Sequence, residues 1–213
     1  MMEKPKYIIG IDPDVDKSGF AALNVQSRHF TVVKAMKFVE LAEVIVCSKH
    51  SPGYLGLNEK IETSDCVFVL EDSDGTTNWH LDAPRMSARK VSAIGHGVGL
   101  CHATQRHIQE FAEYFGYKVE KIKPLKKSWM GRDGKITQEE IKQFIPDFPY
   151  SNQECRDAAL LAWCYANLPI RIPASFYNQH FSQEQIKKHA LQEFQSKTKK
   201  LGEFLLTAGL KKK

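Results

Sequence analysis

Hydrophobic and polar positions follow two rhythms along this chain. In the first forty residues apolar side chains come in short runs or alternate, as in KYIIGID, SGFAALNVQ and HFTVVKAMKF. These stretches predict three strands. The links between them, PDVDK and the pair Ser27 and Arg28, are short enough for an antiparallel meander. CVFVLED, from Cys66, is an unbroken run of β-branched and aromatic residues, the pattern of a strand buried on both faces. YKVEKIKP predicts a fifth strand, closed by Pro124.

The second rhythm is helical. VELAEVIVCSKH predicts a helix after the meander, and YLGLNEKIETSD a loop with some helix. Val91, Ile94, Val98, Cys101, Ile108, Phe111 and Phe115 recur at three- and four-residue spacing up to Gly116, which predicts one long helix. Thr137 with Glu140 forms a capping box at the start of QEEIKQFI. Ser151 or Asn152 caps QECRDAALLAWCYANL, which stops before Pro169. Beyond Ser182 an apolar stripe of Ile186, Ala190, Phe194, Leu201 and Leu205 predicts a further helix. The order β-β-β-α-β-α-β-α-α describes a mixed sheet with helices packed on it, an α/β layered domain. Pro173 marks a boundary, with a body over residues 1–173 and a basic helical C-terminal extension over 174–213.

Composition narrows the class. A chain of 213 residues is long enough for one substantial core. The five cysteines (Cys47, Cys66, Cys101, Cys155, Cys164) are odd in number and form no CxxC pair, the usage of reduced thiols. No apolar stretch reaches the length of a bilayer span, and MMEKPKYIIG has no signal-peptide core, so a cytoplasmic protein without a membrane partner is expected. The net charge of +5 lies in the extension, where eight Lys face three Glu, while the body is balanced. A neutral body with a basic tail suits a polyanionic partner, and equally a solvated helix.

Carboxylates mark the candidate chemistry. Asp12 ends the first strand, where an uncompensated charge is costly. Strand parity puts Ile8, Gly10 and Asp12 on one face, and Val67, Val69 and Glu71 on one face of the fourth strand. Both acids close a buried run at its C-terminal end, where α/β sheets place their chemistry. In the helix after Asn152, stepping back from Leu168, Cys164 and Leu161 reaches Asp157 and then Glu154, so both acids are expected on the face toward the sheet. Each acid alone has a structural reading, Glu154 most simply as a favourable charge at a helix N-terminus. Four together could not stay ionised without cations, and hard carboxylate sites suit Mg²⁺ or Mn²⁺.

These residues resemble the RuvC-like Holliday junction resolvases of the ribonuclease H-like superfamily. The resemblance covers about residues 6 to 168. It is carried by IGIDP with Gly19 seven residues after Asp12, by Glu71 closing VFVLE, and by Glu154 and Asp157 three apart in ECRDAAL. The small-residue stretch SAIGHGVGL and the lysine-bearing IKPLKKSWMGRDGK fall between them in the family's order. The sequence departs from the family at Asp14, where a glycine is usual, and at Glu154, where aspartate is usual. Its loop after Glu71 is also longer, with Trp79 as the nearest aromatic.

The resemblance implies a ribonuclease H-like mixed five-stranded sheet flanked by helices, with an extra C-terminal helix outside it. It also implies a metal-dependent endonuclease that cuts Holliday junctions, in DNA recombination and repair, as a homodimer on branched DNA. Asp12, Glu71, Glu154 and Asp157 would be catalytic and hold two Mg²⁺ or Mn²⁺ ions; Lys126 or Lys127, and Lys135, would hold phosphates, and Trp79 could stack on an unpaired base.

Other signals are weaker. GHGVG lacks the spacing of a phosphate-binding loop and is expected to serve close helix–sheet packing. His96, Cys101, His102 and His107 do not share one helical face as zinc ligands would. An actin-like kinase would need two related halves, which the chain lacks. Cleavage of RNA–DNA hybrids or flaps by the same site, and a non-catalytic nucleic-acid-binding module, are the competing functions.

Overall fold

The computed structural model describes residues 5–57, 60–72, 87–125, 128–191 and 194. Five strands form one sheet: β1 (Tyr7–Asp12), β2 (Ser18–Asn24), β3 (His29–Met36), β4 (Cys66–Glu71) and β5 (Lys118–Ile122). Their spatial order is β3-β2-β1-β4-β5. The first three pair antiparallel as the predicted meander, and β4 then joins β1, and β5 joins β4, in parallel. Parallel neighbours need a crossover, and the long helix α2 (Ala88–Tyr114) lies in the β4–β5 connection.

Helices cover both faces, which is why β1 and β4 are apolar at successive positions rather than at alternate ones. On one face Tyr7, Ile9, Ile11, Phe68 and Leu70 pack with α1 (Phe38–Cys47) and the second half of α2. On the other, Ile8, Val67 and Val69 pack with Ile141 of α3 (Gln138–Ile141) and with Ala158, Leu161 and Ala162 of α4 (Gln153–Tyr165). This is the mixed five-stranded α/β architecture expected of a ribonuclease H-like fold.

The structure corrects one expectation. Gly95, Gly97 and Gly99 do not mediate helix–sheet packing, since a Cβ on any of them would meet nothing within 4 Å. In α2 only Gln105, Ile108 and Ala112 are buried, so the helix packs through its second half. In α4 the buried positions include Cys155, Ala158, Ala159, Leu161 and Ala162, and Glu154 and Asp157 are half-buried beside them.

A short helix that the pattern did not predict, α5 (Ala174–His180), opens the C-terminal extension. It has one buried residue, Phe176, against whose ring His180 stacks at 4.2 Å. One apolar anchor in seven residues leaves no periodicity to detect. Helical backbone follows over 183–191. No helix among the described residues is long and apolar enough to cross a membrane.

Candidate active site

Two glycines set where α4 lies. A Cβ on Gly10 would overlap the carbonyl oxygen of Ala158, and one on Gly19 would overlap that of Glu154. The backbone of α4 therefore rests directly on β1 and β2, as it could on no larger residue. Gly19 is also the register partner of Asp12. The close approach that seats Glu154 over Gly19 thus brings the start of α4 to the end of β1. On the other side of β1 the parallel register pairs Ile11 with Leu70, and the next residues along the two strands are Asp12 and Glu71. Asn152 fixes the helix start, its Oδ1 accepting from the amide of Cys155 at 3.1 Å.

The four acids share one electrostatic field. Burial, then the charge of Asp157, pushes the Asp12 carboxyl up from 3.8 to about 8; Lys135 works against this, and Glu71 and Glu154 add to it. Desolvation and like charges act in the same direction here, each disfavouring the ionised form. Lys135 is the compensating cation, with its Nζ 2.8 Å from Oδ2 of Asp157. Burial alone would lower the lysine; the hydrogen bond and charge of Asp157, with Asp12 and Glu154 beyond, outweigh it and hold its pKa above the usual value. Asp14, the departure from the resemblance, closes its own turn by accepting the amide of Asp16 at 3.0 Å. Its charge and that of Asp12 also reach Cys101, whose thiol is pushed up first by burial and then by Asp14 and Asp12. This brings the middle of α2 to the rim of the site.

Three further residues organise the site and were not recognised in the sequence. Gln153 donates from Nε2 to Oδ1 of Asp157 at 2.8 Å, so both carboxyl oxygens of Asp157 are engaged. Arg156 donates from Nη2 to Oε1 of Gln153 at 2.9 Å, which fixes the amide's orientation. It also donates from Nε to the carbonyl of Ile136 at 3.1 Å, and from Nη1 to that of Ser151. One guanidinium thus ties Asp157, through Gln153, to the residue that follows Lys135.

Glu140 is the third. It is fully buried. Besides the predicted capping box with Thr137, it accepts the amide of Met130 at 3.0 and 3.2 Å. The loop around it closes on itself, Gly131 donating to the carbonyl of Lys135 at 3.0 Å and Trp129 to that of Gly134 at 3.1 Å. The capping-box spacing could have pointed to Glu140, but it gives no sign of the bond to Met130.

Of the predicted site residues, Asp12, Glu71, Glu154, Asp157 and Lys135 are brought together at one end of the sheet. Trp79, Lys126 and Lys127 lie outside the described residues. The donor set, carboxylate oxygens only, fits hard divalent cations by its chemistry. As the side chains stand, no three His, Cys, Asp or Glu among the described residues are gathered closely enough to hold an ion. Asp157 is turned to Lys135 and Gln153 instead.

No family model and no curated protein matches the sequence. Among solved structures, Thermus thermophilus RuvC in complex with a Holliday junction substrate is similar at 12% identity and a TM-score of 0.43. The match covers 81% of this chain and 94% of that one. A second Thermus thermophilus RuvC structure is similar at 15% identity and a TM-score of 0.43, over 81% of this chain and 95% of that one. The class of fold rests on the sheet itself: order β3-β2-β1-β4-β5, one antiparallel meander, two parallel additions and helices on both faces define a ribonuclease H-like fold.

Proposed function

We propose that this chain is a metal-dependent endonuclease of the RuvC kind, cutting Holliday junctions or closely related branched DNA. The observation that carries the reading is the shared field of Asp12, Asp157, Glu71 and Glu154. A fold needs no such concentration of negative charge at the end of its central strand, and the raised Asp12 is the signature of a carboxylate cluster short of positive charge.

In this reading Asp12, Glu71, Glu154 and Asp157 hold two Mg²⁺ or Mn²⁺ ions. Divalent ions bound there supply an activated water and stabilise charge on the scissile phosphate and leaving oxygen. The chain's own residues do the rest. Gln153 keeps one oxygen of Asp157 oriented. Lys135 offsets the negative field while no cation is present, and with DNA bound it offers its ammonium to a phosphate. Lys126, Lys127 and the basic extension add sequence-independent affinity that salt weakens, and Trp79 stacks on an unpaired base at the crossover. Two copies acting as a homodimer would cut two strands.

The test is cleavage of a synthetic four-way junction with Mg²⁺ or Mn²⁺ by the wild type and by Asp12→Asn. Symmetric nicks in opposing strands, absent from the variant and from linear duplex, are the expected result. Cutting of RNA–DNA hybrids or flaps alone would keep the chemistry and overturn the substrate. Tight binding with no cutting of any of these would overturn the enzyme and leave a nucleic-acid-binding module, a reading that the ion pair of Lys135 with Asp157 favours.

A further inference from the structure

The C-terminal extension lies outside the sequence resemblance, yet it touches the loop that presents Lys135. His189, in the helical backbone over 183–191, donates from Nε2 to the carbonyl oxygen of Trp129 at 2.9 Å. Tyr177 of α5 lies near the buried carboxylate of Glu140, whose charge adds to burial in pushing the phenol up to about 12. The His189 contact falls on a loop shaped by two groups. Glu140 holds the amides of Met130 and Thr137, and Trp129 donates its own amide to Gly134, beside Lys135. Phe176 is buried in the same short helix.

We propose that the extension is a brace for the lysine loop: His189 is a positioning residue that holds residues 129–135 so that Lys135 meets Asp157. The loop has few apolar anchors of its own, Trp129 stacking on Phe144 at 6.4 Å being one. Without the brace its backbone bonds close only a short ring, and the ammonium of Lys135 is no longer held at one distance from the carboxylates. The role in catalysis rests on the nuclease reading above; the brace itself does not.

The experiment compares wild type, His189→Ala and the conservative His189→Gln, all as the full chain in chelator. Acylation of Lys135 by an amine-reactive ester is followed by peptide mass spectrometry, with hydrogen exchange of residues 128–137 and of β1 and β4. His189→Ala is expected to speed Lys135 acylation about fivefold, the factor for one hydrogen bond lost, and to raise exchange in the loop. Exchange in β1 and β4 stays at the wild-type level, and His189→Gln, which keeps an N–H donor, restores most of the protection. Unchanged Lys135 acylation in His189→Ala, or a rise in exchange spread equally over β1 and β4, would overturn the brace. Junction cleavage is measured alongside. A slower turnover in His189→Ala that Lys135→Ala does not worsen additively supports the positioning role, and additive losses overturn it. A wild type that cuts nothing removes the nuclease reading, while the acylation and exchange results still decide the brace.

Discussion

Lys135 and Asp157 face each other across 2.8 Å, and the two act on Asp12 in opposite directions, the lysine lowering its pKa and the aspartate raising it. The pair is partly solvated, with side-chain exposures of 35% and 18%, so its direct worth is small. Its importance is that, among the described residues, Lys135 is the positive charge set against Asp12, Asp157, Glu71 and Glu154. Lys135→Ala is expected to lower stability by only about 1 kcal/mol in chelator, a fall of about 2–4 °C in melting temperature. Junction cleavage should fall far more, roughly tenfold or greater, as expected when a preorganised charge is lost from a reacting phosphate. Melting curves and single-turnover cleavage of the same preparation separate the two effects.

Asp12 makes stability depend on pH in a defined sense. Its folded pKa, about 8, lies above the unfolded 3.8, so folding takes up a proton between those values. The native state is favoured with Asp12 protonated in acid, and that advantage is lost as pH rises through 8. In chelator, Asp12→Asn should therefore melt above the wild type at pH 8, with the difference shrinking steadily toward pH 4. Thermal melts across this range check it; a variant that melts below the wild type at pH 8 contradicts it.

Gly10→Ala should cost at least about 1–3 kcal/mol, because the added methyl would overlap the backbone carbonyl of Ala158, which cannot rotate away. The helix must lift as a unit, carrying Glu154 and Asp157 with it. Urea denaturation measures the loss, and cleavage by the folded fraction is expected to drop as well.

Gln153→Met and Arg156→Met remove the support of Asp157 without touching a proposed ligand. Each is expected to weaken Mn²⁺ binding about 10–100-fold, the usual consequence of losing a group that orients a metal ligand. Calorimetric titration of Mn²⁺ in the absence of DNA reads this directly. Arg156→Met should also loosen the lysine loop, since it loses the bond to Ile136.

The sheet was legible because β1, β2 and β4 are apolar over nearly their whole length, and a buried strand has few other ways to be written. Asp12 and Glu71 were legible for the same reason, as charges ending runs that tolerate none. The helix after Asn152 showed its acids through their three- and four-residue steps back from Leu161, but not the ion pair and the amide that engage Asp157. Gln153 and Arg156 left no trace because their partners, Asp157 apart, are backbone carbonyls and one another, and such contacts have no residue-type signature. The glycines of α2 misled for a related reason. Gly10, Gly19 and Gly95 look alike in sequence, and only the neighbour that approaches, or fails to, separates them.

The outermost strands carry a consequence for self-association. β5 is written KVEKI, with Lys118 paired to Glu120 at 2.7 Å along its own strand. β3, at the opposite margin, has Gly56 so close to the carbonyl of Thr31 that a Cβ there would come within 2.7 Å of that oxygen. A margin studded with charge and one overlaid by a loop are both poor templates for another molecule's strand. Two copies of this chain, if they pair to cut two strands, would not do so by prolonging the sheet from one subunit into the next, and the contact falls to helices and loops.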